Sequence, residues 1–290
     1  MQSQLDTLRL SYQDTYPDIV SLKGQIAELQ DDIRSVESQE AVGGSGSTGD
    51  SAANPYYQEL KSQVVQARVD QGTLRKRKSV LGRMLDDEYK RAERIAERGY
   101  LVVSSTYRLV PEWIFPAQLE DVQLAAQWMR SPEALAYGID PERIGGFGYS
   151  AGAHLISLTA AVADHPELGK PDTAMKAIVA GGNPSDLTRY EGGYLVPNFL
   201  GGERDEIPET FRAASPITYV KPGHPPVFQY HATLDGYVPF EQAEAYRAAL
   251  DAAGVPNELF IIHGHGHISA FFADGKAVEA ALAFLDRYLR

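Results

Sequence analysis

The residues of this sequence best suited to chemistry are a serine in a glycine-flanked turn, an acid downstream of it, and a cluster of histidines. Ser150 lies at the centre of residues 148–152, which read Gly-Tyr-Ser-Ala-Gly. Asp235 follows, and then His263, His265 and His267. A serine hydroxyl becomes a strong nucleophile when a base accepts its proton and an acid orients that base. These residue types therefore predict covalent attack on an acyl group.

The turn around Ser150 has the features of a nucleophile elbow. A short apolar run at 143–149 predicts a strand before it, and residues 151–163 predict a helix after it. A sharp strand-to-helix turn exposes the serine oxygen, and small flanking residues such as Gly148 and Gly152 let strand and helix approach each other. The backbone N–H of Ala151 would then face the oxyanion that develops during attack.

The elements that must position these residues alternate between strands and helices. After residue 85, β-rich or apolar runs occur at 100–105, 143–149, 175–180, 226–231 and 258–262, and helical patterns at 86–98, 116–129, 151–163, 240–252 and 276–288. This alternation predicts an α/β fold with a parallel sheet covered on both faces. Asp235 and the histidines each follow a strand, at the edge of the sheet where active sites of such folds lie.

The first 84 residues have a different pattern. Apolar residues recur at alternating spacings of three and four, at Leu5, Leu8, Tyr12, Ile19, Leu22, Ile26, Leu29, Ile33 and Val36. After a Gly/Ser loop at 43–53, a weaker series continues at Tyr57, Leu60, Val64, Ala67, Leu74 and Leu81. Two heptad helices joined by a flexible loop predict an antiparallel coiled-coil hairpin over residues 1–84, with a kink or a helix start at Pro17.

Composition supports a division near residue 84. Residues 1–84 hold 10 Lys/Arg and 11 Asp/Glu with no Trp or Phe, so the net charge of −12 over 290 residues comes almost entirely from residues 85–290. The acidic balance argues against nucleic acid or an anionic membrane as a partner. The basic run 75–78 could be read as a nucleic-acid patch, but a solvated helix face beside acidic residues is the preferred interpretation.

The sequence also excludes some catalytic chemistries and indicates whether the chain spans a membrane and where it is located. The sequence has no cysteine, which excludes a cysteine nucleophile and a thiolate metal site. No stretch approaches 18 consecutive apolar residues, so we expect no membrane span. The first residues show no signal-peptide pattern, which predicts a cytoplasmic location, or a periplasmic one if Met1 is not the native start.

Residues 88–290 resemble α/β-hydrolase carboxylesterases of the acetyl-xylan/feruloyl-esterase and hormone-sensitive-lipase type. The resemblance rests on ordered motifs at 97–122, 138–155, 230–256 and 263–267. It implies a small-molecule ester substrate, no cofactor, and a triad in which Ser150 is the nucleophile, Asp235 the orienting acid and His267 the base. His267 is chosen because residues 264–267 fit the Gly-x-Gly-His with which the family pattern ends.

Alternatives to this assignment remain at the sequence level. His265 is the second candidate for the base, and the three alternate histidines could instead form a metal clip, although their interleaved glycines and the lack of a carboxylate disfavour it. His154, one helical turn after Ser150, is expected to be a buried packing residue. The remaining acids in family-like motifs are Asp121, Asp140 and Asp186, and structural roles suit the first two better than catalysis.

Residues 5–80 resemble the coiled-coil region of bacterial polysaccharide chain-length determinant proteins, on the segments 11–29 and 54–77. That resemblance implies self-association through the coiled coil. Against the hydrolase pattern, the chain lacks the opening strands and any His-Gly-Gly oxyanion loop. We therefore hypothesise a fusion that has lost the start of a hydrolase domain. The competing function is a non-catalytic assembly or polysaccharide-export-related protein that carries a vestigial hydrolase.

Overall fold

The structure is a computed structural model that describes residues 30, 31, 34 and 55–290. Contacts divide the chain into two compact units, residues 1–86 and residues 87–290. Among the described helices, none combines the length and the apolar character needed to cross a membrane.

Helix α1, Pro55–Glu97, begins in the first unit. Val64 and Ala67 are buried on one side of it, whereas Val65 and Leu81 are more than half exposed, so the predicted apolar seam is not buried along its whole length. The first heptad helix and the Gly/Ser loop at 43–53 lie outside the described residues, and the hairpin and its self-association stay predictions. The helix predicted at 86–98 is the last part of α1, so the predicted division at 84/85 falls inside one helix.

The second unit contains strands and helices in alternation. In chain order they are α2 (Ala117–Trp128), α3 (Pro132–Leu135), β1 (Gly146–Tyr149), α4 (Ala151–Ala161), β2 (Ile178–Gly181), α5 (Leu195–Leu200), α6 (Pro208–Ala213), β3 (Val227–Ala232), α7 (Glu241–Ala252), β4 (Asn257–Ile262), α8 (His267–Phe272) and α9 (Gly275–Leu289). The described strands form one parallel sheet in the order β1-β2-β3-β4. The predicted α/β class with a parallel sheet is confirmed.

Side chains alternate between the two faces of the sheet along each strand, and β2 and β3 are buried on both faces. Ile178 and Val227 join one apolar cluster with residues of α4 and α7. Val179 and Phe228, the next residue along each strand, join a second cluster that is built largely from α8 and α9. Continuous apolar strands are therefore sandwiched between two helical layers, as the unbroken apolar runs predict.

The prediction of a strand at 100–105 is wrong. Residues 100–108 have no regular secondary structure, and Leu101 is half exposed. The reason is that a β-prone run becomes a strand only when a neighbouring strand takes up its backbone hydrogen bonds. Within the described part of the chain, β1 pairs with β2 alone, and no strand lies between residues 105 and 146. Residues 100–105 therefore have a local preference for strand, but no described strand is available to pair with them.

Candidate active site

Ser150 occupies a strained turn between β1 and α4. Its backbone has φ 55° and ψ −119°, a region that residues with a side chain rarely adopt. The turn is held from one side because the N–H of Ser150 donates to the carbonyl of Gly181, 2.8 Å away, in continuation of the β1–β2 pairing. The constraint turns the serine side chain out of the sheet at the carboxyl end of β1.

The two glycines of the turn have different roles. A Cβ on Gly148 would lie 2.4 Å from the carbonyl carbon of Gly152, so only glycine permits β1 and α4 to approach this closely. A Cβ on Gly152 would meet nothing within 4 Å. The close approach of β1 and α4 thus requires glycine at position 148, whereas at position 152 only the backbone makes the contact.

The structure brings Ser150, His267 and Asp235 together from three separate segments. His267 Nε2 lies 2.7 Å from Ser150 Oγ, and His267 Nδ1 lies 2.6 Å from Asp235 Oδ2. The imidazole and the carboxylate are almost completely buried. With a carboxylate beside it, Nδ1 carries the proton and donates to Asp235, which leaves Nε2 free to accept from the serine hydroxyl.

Asp235 is held in the loop after β3 by backbone donors. Its Oδ1 accepts from the N–H groups of Tyr237 at 2.9 Å and Val238 at 2.8 Å. Burial opposes ionisation of this carboxyl, but the hydrogen bonds from His267 and Val238 outweigh it and hold the pKa of Asp235 below its ordinary value. The group is thus a carboxylate at neutral pH, with one oxygen fixed by the loop and the other directed at His267.

A buried histidine that the sequence did not single out supports the same loop. His231, on β3, donates from Nε2 to the carbonyl of Val238 at 2.8 Å, and its ring nitrogen lies 3.6 Å from Asp235 Oδ2. Burial lowers the pKa of His231, which favours the neutral donor. The only feature of the sequence that could have indicated this role of His231 is its position four residues before Asp235, at the end of a strand.

The other candidate residues lie outside this hydrogen-bonded line. The backbone carbonyl of His265 accepts from Leu234 N–H at 3.0 Å, and neither His265 nor His263 takes the place of His267. Among the described residues, no three of His, Cys, Asp or Glu are grouped so that they could hold a metal ion. His154 is buried in α4 and donates from Nε2 to the carbonyl of Ala214 at 2.7 Å.

The remaining acids stabilise local structure. Asp121 pairs with Arg108 at 2.9 Å, which holds its pKa below the ordinary value. Asp140 accepts from the side chain of Arg143 at 2.6 Å in a turn before β1. Asp186 caps the 3₁₀ helix Leu187–Arg189 by accepting from the N–H of Thr188.

The N-terminus of α4 lies directly beside the serine. Ala151 is the first residue of this helix, and N–H groups in a first helical turn have no acceptor within the helix. They carry a partial positive charge, which suits an anion bound next to Ser150 Oγ. Leu234 and Tyr237, both more than half exposed, lie in the loop that carries Asp235, so this side of the site is open to solvent.

Proteins of known sequence similar to this chain include several esterases. The chain is 38% identical over 211 residues to esterase LipQ of Mycobacterium tuberculosis, a match that covers 68% of this chain and 50% of LipQ. It is 30% identical over 204 residues to a probable isoprenylcysteine alpha-carbonyl methylesterase of Oryza sativa subsp. japonica, covering 62% of this chain and 46% of that protein. The chain thus spans about half the length of the curated relatives it matches.

Solved structures give a similar result. A truncated form of a carbohydrate esterase from gut microbiota superposes with a TM-score of 0.60 at 25% identity, covering 67% of this chain and 76% of that one. Thermogutta terrifontis esterase 2, phosphoramylated by tabun, superposes with a TM-score of 0.57 at 28% identity, covering 68% and 75%. These neighbours have the α/β-hydrolase fold that the resemblance implies for residues 88–290.

A family model described as BD-FAE matches residues 82–250. The matched region includes the Ser150 turn and Asp235, and it ends before His267. No similarity to polysaccharide chain-length determinants is shown for the N-terminal segment. Because the match extends over more than half of the sequence, this chain belongs to the BD-FAE family.

Proposed function

We propose that this chain is a serine carboxylesterase in which Ser150 is the nucleophile, His267 the general base and Asp235 the acid that orients His267. The observation that carries the proposal is the unbroken hydrogen-bonded line from Asp235 Oδ2 through the imidazole to Ser150 Oγ, with both distances below 2.8 Å. The esterase names of the relatives support the reaction class.

The geometry supports a two-step acyl transfer. Ser150 Oγ attacks the ester carbonyl carbon while His267 Nε2 accepts its proton, and the carbonyl oxygen becomes an oxyanion beside Ala151 N–H. When the intermediate collapses, His267 returns the proton to the leaving alcohol and the acyl group stays on Ser150. Water, deprotonated by His267, then releases the carboxylic acid. Asp235 keeps the imidazole in the required tautomer and stabilises its protonated form throughout.

The rate of this reaction depends on how many donors face the oxyanion. Ala151 N–H supplies one, and the sequence contains no His-Gly-Gly loop of the kind that supplies the second in the hydrolases it resembles. Loss of one such donor costs roughly 10²–10³ in turnover. We therefore expect slow hydrolysis that still depends fully on Ser150.

Carbohydrate-linked acetyl esters and aromatic acyl esters are the proposed substrate class. Among the structural neighbours, one is a carbohydrate esterase from gut microbiota and another an acetyl ester-xyloside bifunctional hydrolase from Caldicellulosiruptor lactoaceticus. Hydrolysis of acetylated xylan and of methyl ferulate, compared with p-nitrophenyl acetate, tests the assignment. A preference for simple alkyl esters over both would contradict it.

The competing idea, a non-catalytic protein with a vestigial hydrolase, receives no specific support. A domain without catalytic function has no need to keep a buried carboxylate, an imidazole and a strained serine aligned across three segments. The strain at Ser150 costs of order 1–3 kcal/mol, which is retained without benefit unless the serine is used.

The decisive experiment compares wild type with Ser150→Ala on p-nitrophenyl acetate. Ser131→Ala is the matched control, because Ser131 caps α3 in another part of the domain. We expect loss of turnover in Ser150→Ala alone. Paraoxon provides a second readout, since it should add one phosphoryl group to the peptide that contains Ser150. Equal turnover by wild type and Ser150→Ala, with no adduct on that peptide, would reject the proposal.

A further inference from the structure

Tyr149, the residue just before Ser150, faces away from α4, the helix that follows Ser150. Side chains alternate along β1, and the position of Gly148 faces α4, because a Cβ there would meet the backbone of Gly152 and Ala153. Tyr149 therefore extends from the opposite face of the sheet, where α8 and α9 pack. This places its side chain beneath the segment that carries His267.

The contacts of Tyr149 are concentrated on α8. Its hydroxyl donates to the backbone carbonyl of His267 at 2.7 Å. Its ring lies against the His267 imidazole at 5.1 Å between centroids and against the Phe271 ring at 5.1 Å. On the side of the sheet the ring packs on Tyr230, at 5.8 Å. One side chain thus touches both the backbone and the ring of the residue that must reach Ser150.

The other end of α8 is fixed separately. Arg91 is buried, donates to the carbonyl of Phe271 at 3.4 Å and pairs with Asp274 at 2.5 Å. Its guanidinium also lies 4.6 Å from the centre of the Phe271 ring. Because α8 has only six residues, bonds at both ends largely determine where its first residue, His267, is placed.

We infer that Tyr149 is a positioning residue for the hydrolysis proposed above, holding His267 through the hydrogen bond to its backbone carbonyl. The inference rests on the proposed function for its kinetic consequence. Strand β1 thereby leads into the turn that presents Ser150, and its last residue, Tyr149, fixes His267, the base that activates Ser150. A displacement of α8 away from β1 would change the distances from the His267 imidazole to Ser150 Oγ and to Asp235 Oδ2.

The protonation state of Tyr149 suits this role. Burial, and then the charges of Asp235 and Asp274, raise the pKa of its hydroxyl well above the ordinary value. The phenol therefore keeps its proton at neutral pH and remains a donor to the His267 carbonyl.

The test is Tyr149→Phe, which retains the ring and removes the donor. Tyr219→Phe is a matched control, because the hydroxyl of Tyr219 also donates to a backbone carbonyl, that of Ala213 at 3.0 Å, away from the triad. On p-nitrophenyl acetate we expect kcat to fall about tenfold in Tyr149→Phe with KM within about twofold, since misplacing a catalytic group lowers the rate without weakening substrate binding. Tyr219→Phe should retain both values.

A spectroscopic readout is independent of turnover. We expect the proton between His267 Nδ1 and Asp235 to give a downfield ¹H NMR signal in the resting protein, and this signal should shift or broaden in Tyr149→Phe but not in Tyr219→Phe. Unchanged kcat and an unchanged signal in Tyr149→Phe, with active wild type, would overturn this inference alone. If wild type shows no Ser150-dependent hydrolysis, the proposed function fails, and the NMR comparison still decides whether Tyr149 positions His267.

Discussion

His154 should make the stability of the 87–290 unit depend on pH in a way that can be measured. It is buried in α4, where its Nε2–H donates to Ala214 and its ring meets the Phe199 ring edge-on at 5.6 Å. Burial lowers the pKa of His154 from 6.5 to about 4, against the opposing effect of the hydrogen bond to Ala214. In the unfolded chain the same group titrates at its ordinary pKa.

The direction of the pH effect on stability depends on whether the folded or the unfolded state binds the proton first. As the pH falls below 6.5, the unfolded chain protonates His154 while the folded protein does not, so stability is present above pH 6.5 and is lost as the pH falls towards 4. A shift of this size corresponds to about 3 kcal/mol in the limit of low pH, at 1.36 kcal/mol per unit. Between pH 8 and pH 5 the expected loss from His154 alone is about 2 kcal/mol.

The assay is urea unfolding of wild type and His154→Gln at pH 8, 6 and 5. The variant keeps an N–H that is able to reach the carbonyl of Ala214 but does not titrate. Trp113 and Trp128 are the two tryptophans of the chain, and both belong to the 87–290 unit, so their fluorescence follows its unfolding. Groups such as His224 and His231, whose pKa values burial also lowers, titrate equally in both proteins and cancel in the comparison.

The measured outcome is how much more the free energy of unfolding changes with pH in wild type than in His154→Gln. The free energy of unfolding of wild type should decrease by about 2 kcal/mol more than that of His154→Gln between pH 8 and pH 5. A gap between the two proteins that stays constant across this range would show that His154 is not buried in its neutral form, and would refute the packing described for the first turns of α4.

Two further substitutions test the proposed catalytic role of Asp235 and the buried Arg91–Asp274 ion pair. Asp235→Asn should lower kcat by about 10⁴ with little change in KM, because an amide favours the wrong imidazole tautomer. Asp140→Asn is its control, and an equal effect of both would contradict the assignment. Arg91→Met should cost about 3–5 kcal/mol in unfolding free energy by leaving Asp274 buried without its partner, and adding Asp274→Leu should recover most of the loss. No recovery in the double variant would indicate a packing effect instead.

The parts of the fold that the sequence predicts are those that depend on local pattern. Apolar runs bounded by turn residues place β1 to β4 within a few residues, and the Gly148–Ser150 turn is recognisable because its strain needs small neighbours. The run at 100–105 has the same local character and is not a strand. Pairing is a property of two segments, so propensity alone cannot distinguish a strand with a partner from one without.

The choice among His263, His265 and His267 shows the same limit at the level of the site. All three follow β4 within five residues, and the sequence selects His267 only through a resemblance. In the structure His267 begins α8, and its backbone carbonyl accepts a hydrogen bond from the hydroxyl of Tyr149 on β1. A six-residue helix is too short to leave a periodic pattern, and a contact across 118 residues leaves none. The proposed base is therefore distinguished from its two neighbours by a tertiary contact from the residue before the proposed nucleophile.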